Sequence, residues 1–376
     1  MNHPVRYGLW SALAGMVLVA VGVCVTVALA QDGETPAVPA VPAAPAPADV
    51  PSTPRGPLGD DPISGRELTP EVKAAVDRGL EYLVKMQNAT DGSYGSTGGY
   101  ASSAAMTGLA GLAFLANGST PGRGKYGKNA ALCLDFILAH TGRSGFIAGA
   151  GVSHGPMYGH GFATLFLAEA YGMGGRPDVR EKLSRAIDLI VRTQNDQGGW
   201  RYQPIKFDAD LSVTICQIMA LRAARNNGIK VPKSTIDKAI DYVKKSANPD
   251  GGFSYMLNSR GSGFPRSAAG VCSLFNCGIY TGPEIDKGLE YLLKFKPGAR
   301  ANNEGHYFYG NYYATQAMFI AGGKYWAEWW PAISQDLVKK QTSGGAWDGD
   351  AGKEYATAMA CIILQVPNRY LPILQR

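Results

Sequence analysis

The sequence predicts an all-α protein, a single (α/α)6 toroid or barrel of about twelve helices that occupies residues 68–376. Three observations carry that prediction. A helix end followed by a polar turn, glycine and an aromatic residue recurs, and Tyr94, Phe146, Trp200 and Phe253 stand 52, 54 and 53 residues apart; a period near 50 is that of a helical repeat. Two kinds of helix alternate, one charged on a wet face and one almost free of charge. Six of the dry kind favour a closed ring, because in an open stack the terminal units would face water.

The chain opens on MNHPVRYGLWSALAGMVLVAVGVCVTVALA, with Arg6 as its only formal charge and an apolar run from Leu9 to Ala30. Ala28-Leu29-Ala30 is a small-x-small cleavage signal, so residues 1–30 read as a secretory signal peptide. The run of 22 residues is also long enough for a transmembrane anchor, which would give membrane association through residues 9–30. Either reading exports the remainder, to the periplasm or to an anchored position facing outside the cytoplasm. Residues 31–67 include PAVPAVPAAPAPADVPSTPRG, a Pro/Ala-rich stretch too poor in large apolar groups to pack, and read as a flexible linker.

The repeats follow in order. YLVKMQNATDGSYG (82–95) ends an outer helix and AMTGLAGLAFLA is the inner helix after it; FILAHTGRSGF (136–146) is followed by FATLFLAEAYG. LIVRTQNDQGGW (189–200) leads to LSVTICQIMALRAA, and YVKKSANPDGGF (242–253) to GVCSLFNCGIY. The 94 residues between Phe253 and Trp347 hold one degenerate unit without the double-glycine turn. Its outer helix covers 285–295, its aromatic falls around Tyr307–Tyr309, and its inner helix is YYATQAMFIAGG. LVKKQTSGGAW (337–347) and YATAMACIILQV complete the ring.

Charge and cysteine content exclude several classes. The 36 Lys and Arg against 30 Asp and Glu are dispersed without a basic block, so there is no nucleic-acid footprint. Cys133, Cys216, Cys272, Cys277 and Cys361 lie in apolar helical runs with no CxxC, which reads as buried free thiols; no metal and no cofactor is indicated.

The inner helices align on a small-residue column, Thr107, Thr164, Thr214, Gly270, Thr315 and Thr357. Four residues earlier stand Ser103, His160, Asp210, Arg266, Asn311 and Lys353, all polar. Polar groups in register on apolar helices are least costly at a shared wet mouth; the other reading makes them N-caps and inter-helix pairs with no ligand. At a mouth, His160, Arg266 and Lys353 together with helix N-termini would seat a phosphate or diphosphate. Asp210, with Asp208 beside it, would serve as an acid whose pKa is raised by apolar surroundings. Tyr158, Trp200, Tyr202, Tyr309, Tyr312 and Tyr355 cluster at turns and inner-helix starts, where their faces suit a long hydrocarbon, a carbocation or a sugar ring. Trp200, Phe253 and Trp347 also read as locks between adjacent units.

QNDQGGW, SANPDGGF and QTSGGAW resemble the QW-type repeats of squalene-hopene and oxidosqualene cyclases, and residues 68–376 resemble the prenyltransferase and squalene-cyclase repeat superfamily. MYGHGFATLFLAEAYG, GGWRYQP, YFYGNYYATQAMFIAGG and QVPNRYLPI resemble an exported, planctomycete-type branch of it with no established activity. The resemblance implies an α/α toroid that binds an isoprenoid or other long apolar ligand, with Asp210 in the place of the protonating acid. Asp208-Ala209-Asp210-Leu211 matches the first and middle acids of a DxDD motif and has leucine for the last. The chain has room for one helical domain where those cyclases use two; the Asp-x-Cys zinc pair of protein prenyltransferases does not occur around Cys272 or Cys277, and the GCGEQ thioester motif is absent. Two other functions fit the same pattern: a noncatalytic protein-interaction scaffold tethered at the membrane, and a carbohydrate-active α/α barrel.

Overall fold

Thr69 starts the ring of helices. Its hydroxyl accepts the N–H of Val72 and Pro70 fills the first helical position, so α1 (Pro70–Met86) begins there. The computed structural model describes residues 68–95, 100–151, 155–174, 176–299 and 305–375. Outer helices α1, α3 (Gly127–Ala139), α5 (Pro177–Thr193), α7 (Lys233–Lys245), α9 (Pro283–Leu293) and α11 (Gly323–Lys340) alternate with inner helices. These are α2 (Ala104–Ala116), α4 (Pro156–Gly174), α6 (Leu211–Asn226), α8 (Phe264–Asn276), α10 (Tyr307–Ala321) and α12 (Lys353–Gln365). Each inner helix packs on the next, and α12 packs on α2, so the ring closes. No β-sheet occurs among the described residues; only isolated bridges such as Thr141–Ile147 and Ala247–Phe253 pin the turns.

The recurring motif works the same way in several units. At the end of α5 the buried amide of Gln194 donates to Gly198 O (2.9 Å) in its own turn and to Thr235 O (2.9 Å) in the next outer helix. Gln87 links the end of α1 to Asn129 O in α3 (3.1 Å), and Gln341 links α11 to Ala75 O in α1 (2.8 Å), joining last unit to first. The turn glycine sits against the neighbouring outer helix: a Cβ on Gly145, Gly198 or Gly251 would lie 2.0, 2.1 or 2.4 Å from the carbonyl oxygen of Arg185, Lys238 or Lys287. Gly198→Ala is therefore expected to lose roughly 2–3 kcal/mol, combining a φ of +97° with that collision. Gly228, at φ +75° with nothing within 4 Å of a Cβ, isolates the conformational part; Gly228→Ala is expected to lose about 1 kcal/mol, and urea titration of both variants measures the two losses.

The aromatic after the glycine is held by the inner helix. Thr107, Thr214 and Thr357 accept the backbone N–H of Tyr94, Trp200 and Trp347 at 3.0, 3.0 and 3.1 Å. Two members of the sequence column are displaced from this role. In α4 it is His160, not Thr164, that accepts the Ile147 N–H (3.2 Å), because α4 starts early enough to put His160 in the structural place of Thr214. In α8 Ser267 accepts from Phe253 N–H (2.8 Å), while Gly270 leaves room for the Phe253 ring. In the degenerate fifth unit the column threonine is used differently: Trp329 of α11 donates its indole N–H to Thr315 Oγ1 (3.0 Å), and Tyr307–Tyr309 begin α10.

The far end of the ring is covered by the chain's last residues. Gln365 and Asn368 donate to Ala113 O and Ala116 O at the end of α2 (both 3.1 Å), Arg222 donates to Phe275 O and Gln375 O (2.9 and 3.2 Å), and Leu371, Ile373 and Leu374 are buried. Cys133, Cys216, Cys272 and Cys361 are buried free thiols and Cys277 is half-buried. The expected membrane-spanning segment, and the membrane association drawn from it, are corrected here: among the described residues no helix is long and apolar enough to cross a membrane. Residues 9–30, on which that expectation rested, and the linker at 31–67 lie outside the described residues.

Candidate functional site: a tyrosine-lined cavity at the mouth of the ring

The N-terminal ends of all six inner helices converge on one cavity of about 880 Å³. Six tyrosines line it: Tyr100, Tyr158, Tyr202, Tyr255, Tyr309 and Tyr355. Its floor is apolar, built by Met106, Ile147, Phe162 and Phe308, all buried. Its polar side chains are Ser103, Ser212, Arg266, His306 and Asp350. Size and composition are those of a small-molecule site, an apolar concavity with a few placed polar groups.

Several of the rings are fixed from behind. Tyr309 Oη donates to Ser212 O (2.7 Å), and the Tyr202 and Tyr255 hydroxyls share a short hydrogen bond. The Arg201 guanidinium lies over both rings, 5.0 Å from the centre of Tyr202 and 5.9 Å from that of Tyr255. Arg201 is held in turn by an ion pair to Asp208 and by Asp210, whose Oδ2 is 3.8 Å from Nε. Burial pushes the phenols of Tyr158, Tyr255 and Tyr355 up, so they remain protonated hydrogen-bond groups at neutral pH.

Of the residues singled out in the sequence, Ser103, Tyr158, Tyr202, Arg266, Tyr309 and Tyr355 are brought together on this wall. The others lie elsewhere. His160 is fully buried behind it, with Nδ1 accepting from Ile147 N–H and Nε2 near Ala186 O (3.3 Å); burial pushes its pKa down to about 4, so it stays neutral and joins turn to outer helix. Asp210 caps α6 through the Val213 N–H (2.9 Å), and burial pushes its carboxyl up to about 6 against the pull of that N–H and of Arg201. Asp208 and Asp210 thus stand behind the tyrosines and outside the lining. Trp200 is buried, its indole donating to Ile190 O (2.7 Å); Asn311 donates to Tyr307 O (2.9 Å) within α10; Tyr312 is in the core. Lys353 is exposed, 3.4 Å from Asp348. Among the described residues, no group of three His, Cys, Asp or Glu is placed to hold a metal ion.

Sequence reasoning missed Tyr100, Tyr255, His306, Ser212 and Asp350. For Tyr255 a signal existed: GGFSY places it two residues after the repeat aromatic, as GGWRY places Tyr202, 53 residues earlier. His306 carries a local cue only in the backbone, a left-handed φ of 62° at the start of α10.

No family model matches this sequence, and no curated protein sequence does. Among solved structures the fold recurs widely. An alpha-1,6-mannanase of Salegentibacter sp., an inactive variant in complex with alpha-1,6-mannotriose, is 10% identical with a TM-score of 0.59 over 78% of this chain and 98% of its own. A cellobiose 2-epimerase from Bacillus thermoamylovorans is 12% identical with a TM-score of 0.59 over 79% and 99%. A type II terpene cyclase from Scytonema is 12% identical with a TM-score of 0.55 over 80% and 99%. At such identity the likeness is one of fold alone. The resemblance to squalene-hopene-type repeats holds at that coarser level: the α/α toroid is shared by terpene cyclases and carbohydrate-active enzymes alike.

Proposed function

We propose that the chain is a carbohydrate-binding α/α toroid whose mouth takes a short saccharide. The observation that carries this reading is the wall of six tyrosines around one open cavity. Tyrosine offers an apolar face for the C–H side of a sugar ring and a hydroxyl for its polar edge. A hydrocarbon would use the faces of these rings but not the hydroxyls that reach the cavity. Two structural neighbours whose names specify a sugar point the same way. The reading is of binding. Hydrolysis of a glycosidic bond uses two carboxyl groups flanking it, and the described lining contains one, Asp350.

Titration calorimetry of the purified protein against mannotriose, cellotriose, their acidic counterparts and a geranylgeranyl diphosphate comparator tests it. Binding of at least one saccharide is expected. Tyr202→Ala should weaken that binding about tenfold or more, ~1.4 kcal/mol, by removing a ring and freeing Tyr255 and Arg201. Binding of the prenyl diphosphate with no response to any saccharide would overturn the reading.

A further inference from the structure

Arg266 stands apart from the other charges of the cavity. It lies in the first turn of α8, half-buried, on the cavity wall. Its Nε donates to Phe253 O (3.1 Å) and its Nη2 reaches Gly261 O (3.3 Å), so two backbone carbonyls fix the guanidinium plane. The group folds back over the helix start so closely that a Cβ on Gly263 would sit 2.7 Å from its Cζ. Among the described residues no carboxylate pairs with it; Arg222 is likewise held by two carbonyls, but it lies at the far end of the ring, and Arg266 is the arginine of the cavity lining. A guanidinium fixed in this way, with no carboxylate partner among the described residues, keeps N–H groups that can bind an anion.

The starts of α8, α10 and α12 carry no side-chain cap, unlike those of α2 and α6, which Ser103 and Asp210 close. The macrodipoles of these helices direct positive potential towards the mouth. The lining carboxylate, Asp350, stands 3.5 Å from His306 Nδ1 and has its own partner there.

We propose that Arg266 is the specificity-determining residue of this cavity and that the saccharide it receives is acidic, bearing a carboxylate or a sulfate ester that the guanidinium binds through its remaining N–H groups. This rests on the carbohydrate reading above and narrows it.

The test uses the full protein, three trisaccharide probes and two variants. The probes are trigalacturonic acid, a sulfated trisaccharide and neutral mannotriose; the variants are Arg266→Gln and Tyr202→Ala. One or both acidic probes are expected to bind at least tenfold more tightly than the neutral one, with an affinity that falls as salt rises; which acidic probe is preferred identifies the anion. Arg266→Gln should weaken the acidic probes at least tenfold more than it weakens mannotriose, with an unchanged circular dichroism spectrum showing that the variant is folded. Tyr202→Ala should weaken all probes together. Equal binding of acidic and neutral probes, or a parallel loss of both in Arg266→Gln, overturns the proposal and leaves the carbohydrate reading standing. Binding of no saccharide overturns both.

Discussion

Trp347→Ala is expected to destabilise the ring by about 3–5 kcal/mol and to open it at one place. Trp347 is fully buried. Its indole N–H donates to Leu337 O of α11 (2.8 Å), its backbone N–H donates to Thr357 Oγ1 of α12 (3.1 Å), and its ring lies where a Cβ on Gly79 of α1 would be 2.8 Å away. One residue therefore joins the last two helices to the first, its side chain holding α11 and α1 and its backbone α12. Truncation leaves a cavity, and the Leu337 carbonyl loses its partner. A closed ring has no terminal cap of its own, so a break at the seam exposes the apolar faces of α1 and α12 to water. Chemical denaturation measures the loss, and hydrogen exchange places it: amides of α1 and α12 should exchange sooner than those of α6 and α8. Uniform exchange across the ring would show that Trp347 supports packing in general and not closure.

Glu169→Gln is expected to abolish most of the pH dependence of stability between about pH 7 and 8. Glu169 sits on inner helix α4, 1% exposed, towards the end closed by the C-terminal residues. Burial pushes its carboxyl up to about 8; the Ile373 N–H and the Arg222 guanidinium favour the charged form, but neither is in hydrogen-bonding geometry with it. The folded pKa lies above the unfolded value of 4.5. The group's contribution is thus fully present below pH 4.5 and is lost as pH rises through 8, at about 1.4 kcal/mol per pH unit in between. His160, at about 4 in the folded protein and 6.5 in the unfolded chain, acts with the opposite sign and is nearly complete by about pH 7, as is Asp210 at about 6, so neither reverses the fall above that pH. The upper window therefore belongs to Glu169. The wild-type denaturation midpoint should fall across it, while that of Glu169→Gln should stay nearly level and higher at pH 8. Matching slopes would show that the carboxyl is ionised in the folded protein.

The polar column in the sequence holds both of the readings it allowed, in different helices. Ser103 and Arg266 reach the cavity wall, while Asp210 caps a helix, His160 joins turn to outer helix and Lys353 stays on the surface. The alignment placed His160 opposite Asp210, one turn out of register, because it assumed that every inner helix starts at the same distance from its threonine. The extra turn of α4 breaks that assumption.

What the sequence by itself determined is the all-α toroid: apolar period, glycine turn and glutamine–aromatic pair are local, and each recurs often enough to be read without knowing the neighbours. It also marked the inner-helix starts as the end where polar and aromatic groups gather. Only the tertiary structure decided which of them share a cavity. Tyr100, Tyr255, His306 and Asp350 come from four different units, and ring closure alone sets them on one wall. A polar residue in the first turn of an inner helix faces the lumen, the adjacent turn or solvent according to about 100° of helix phase per residue, and closure, not composition, fixes that phase.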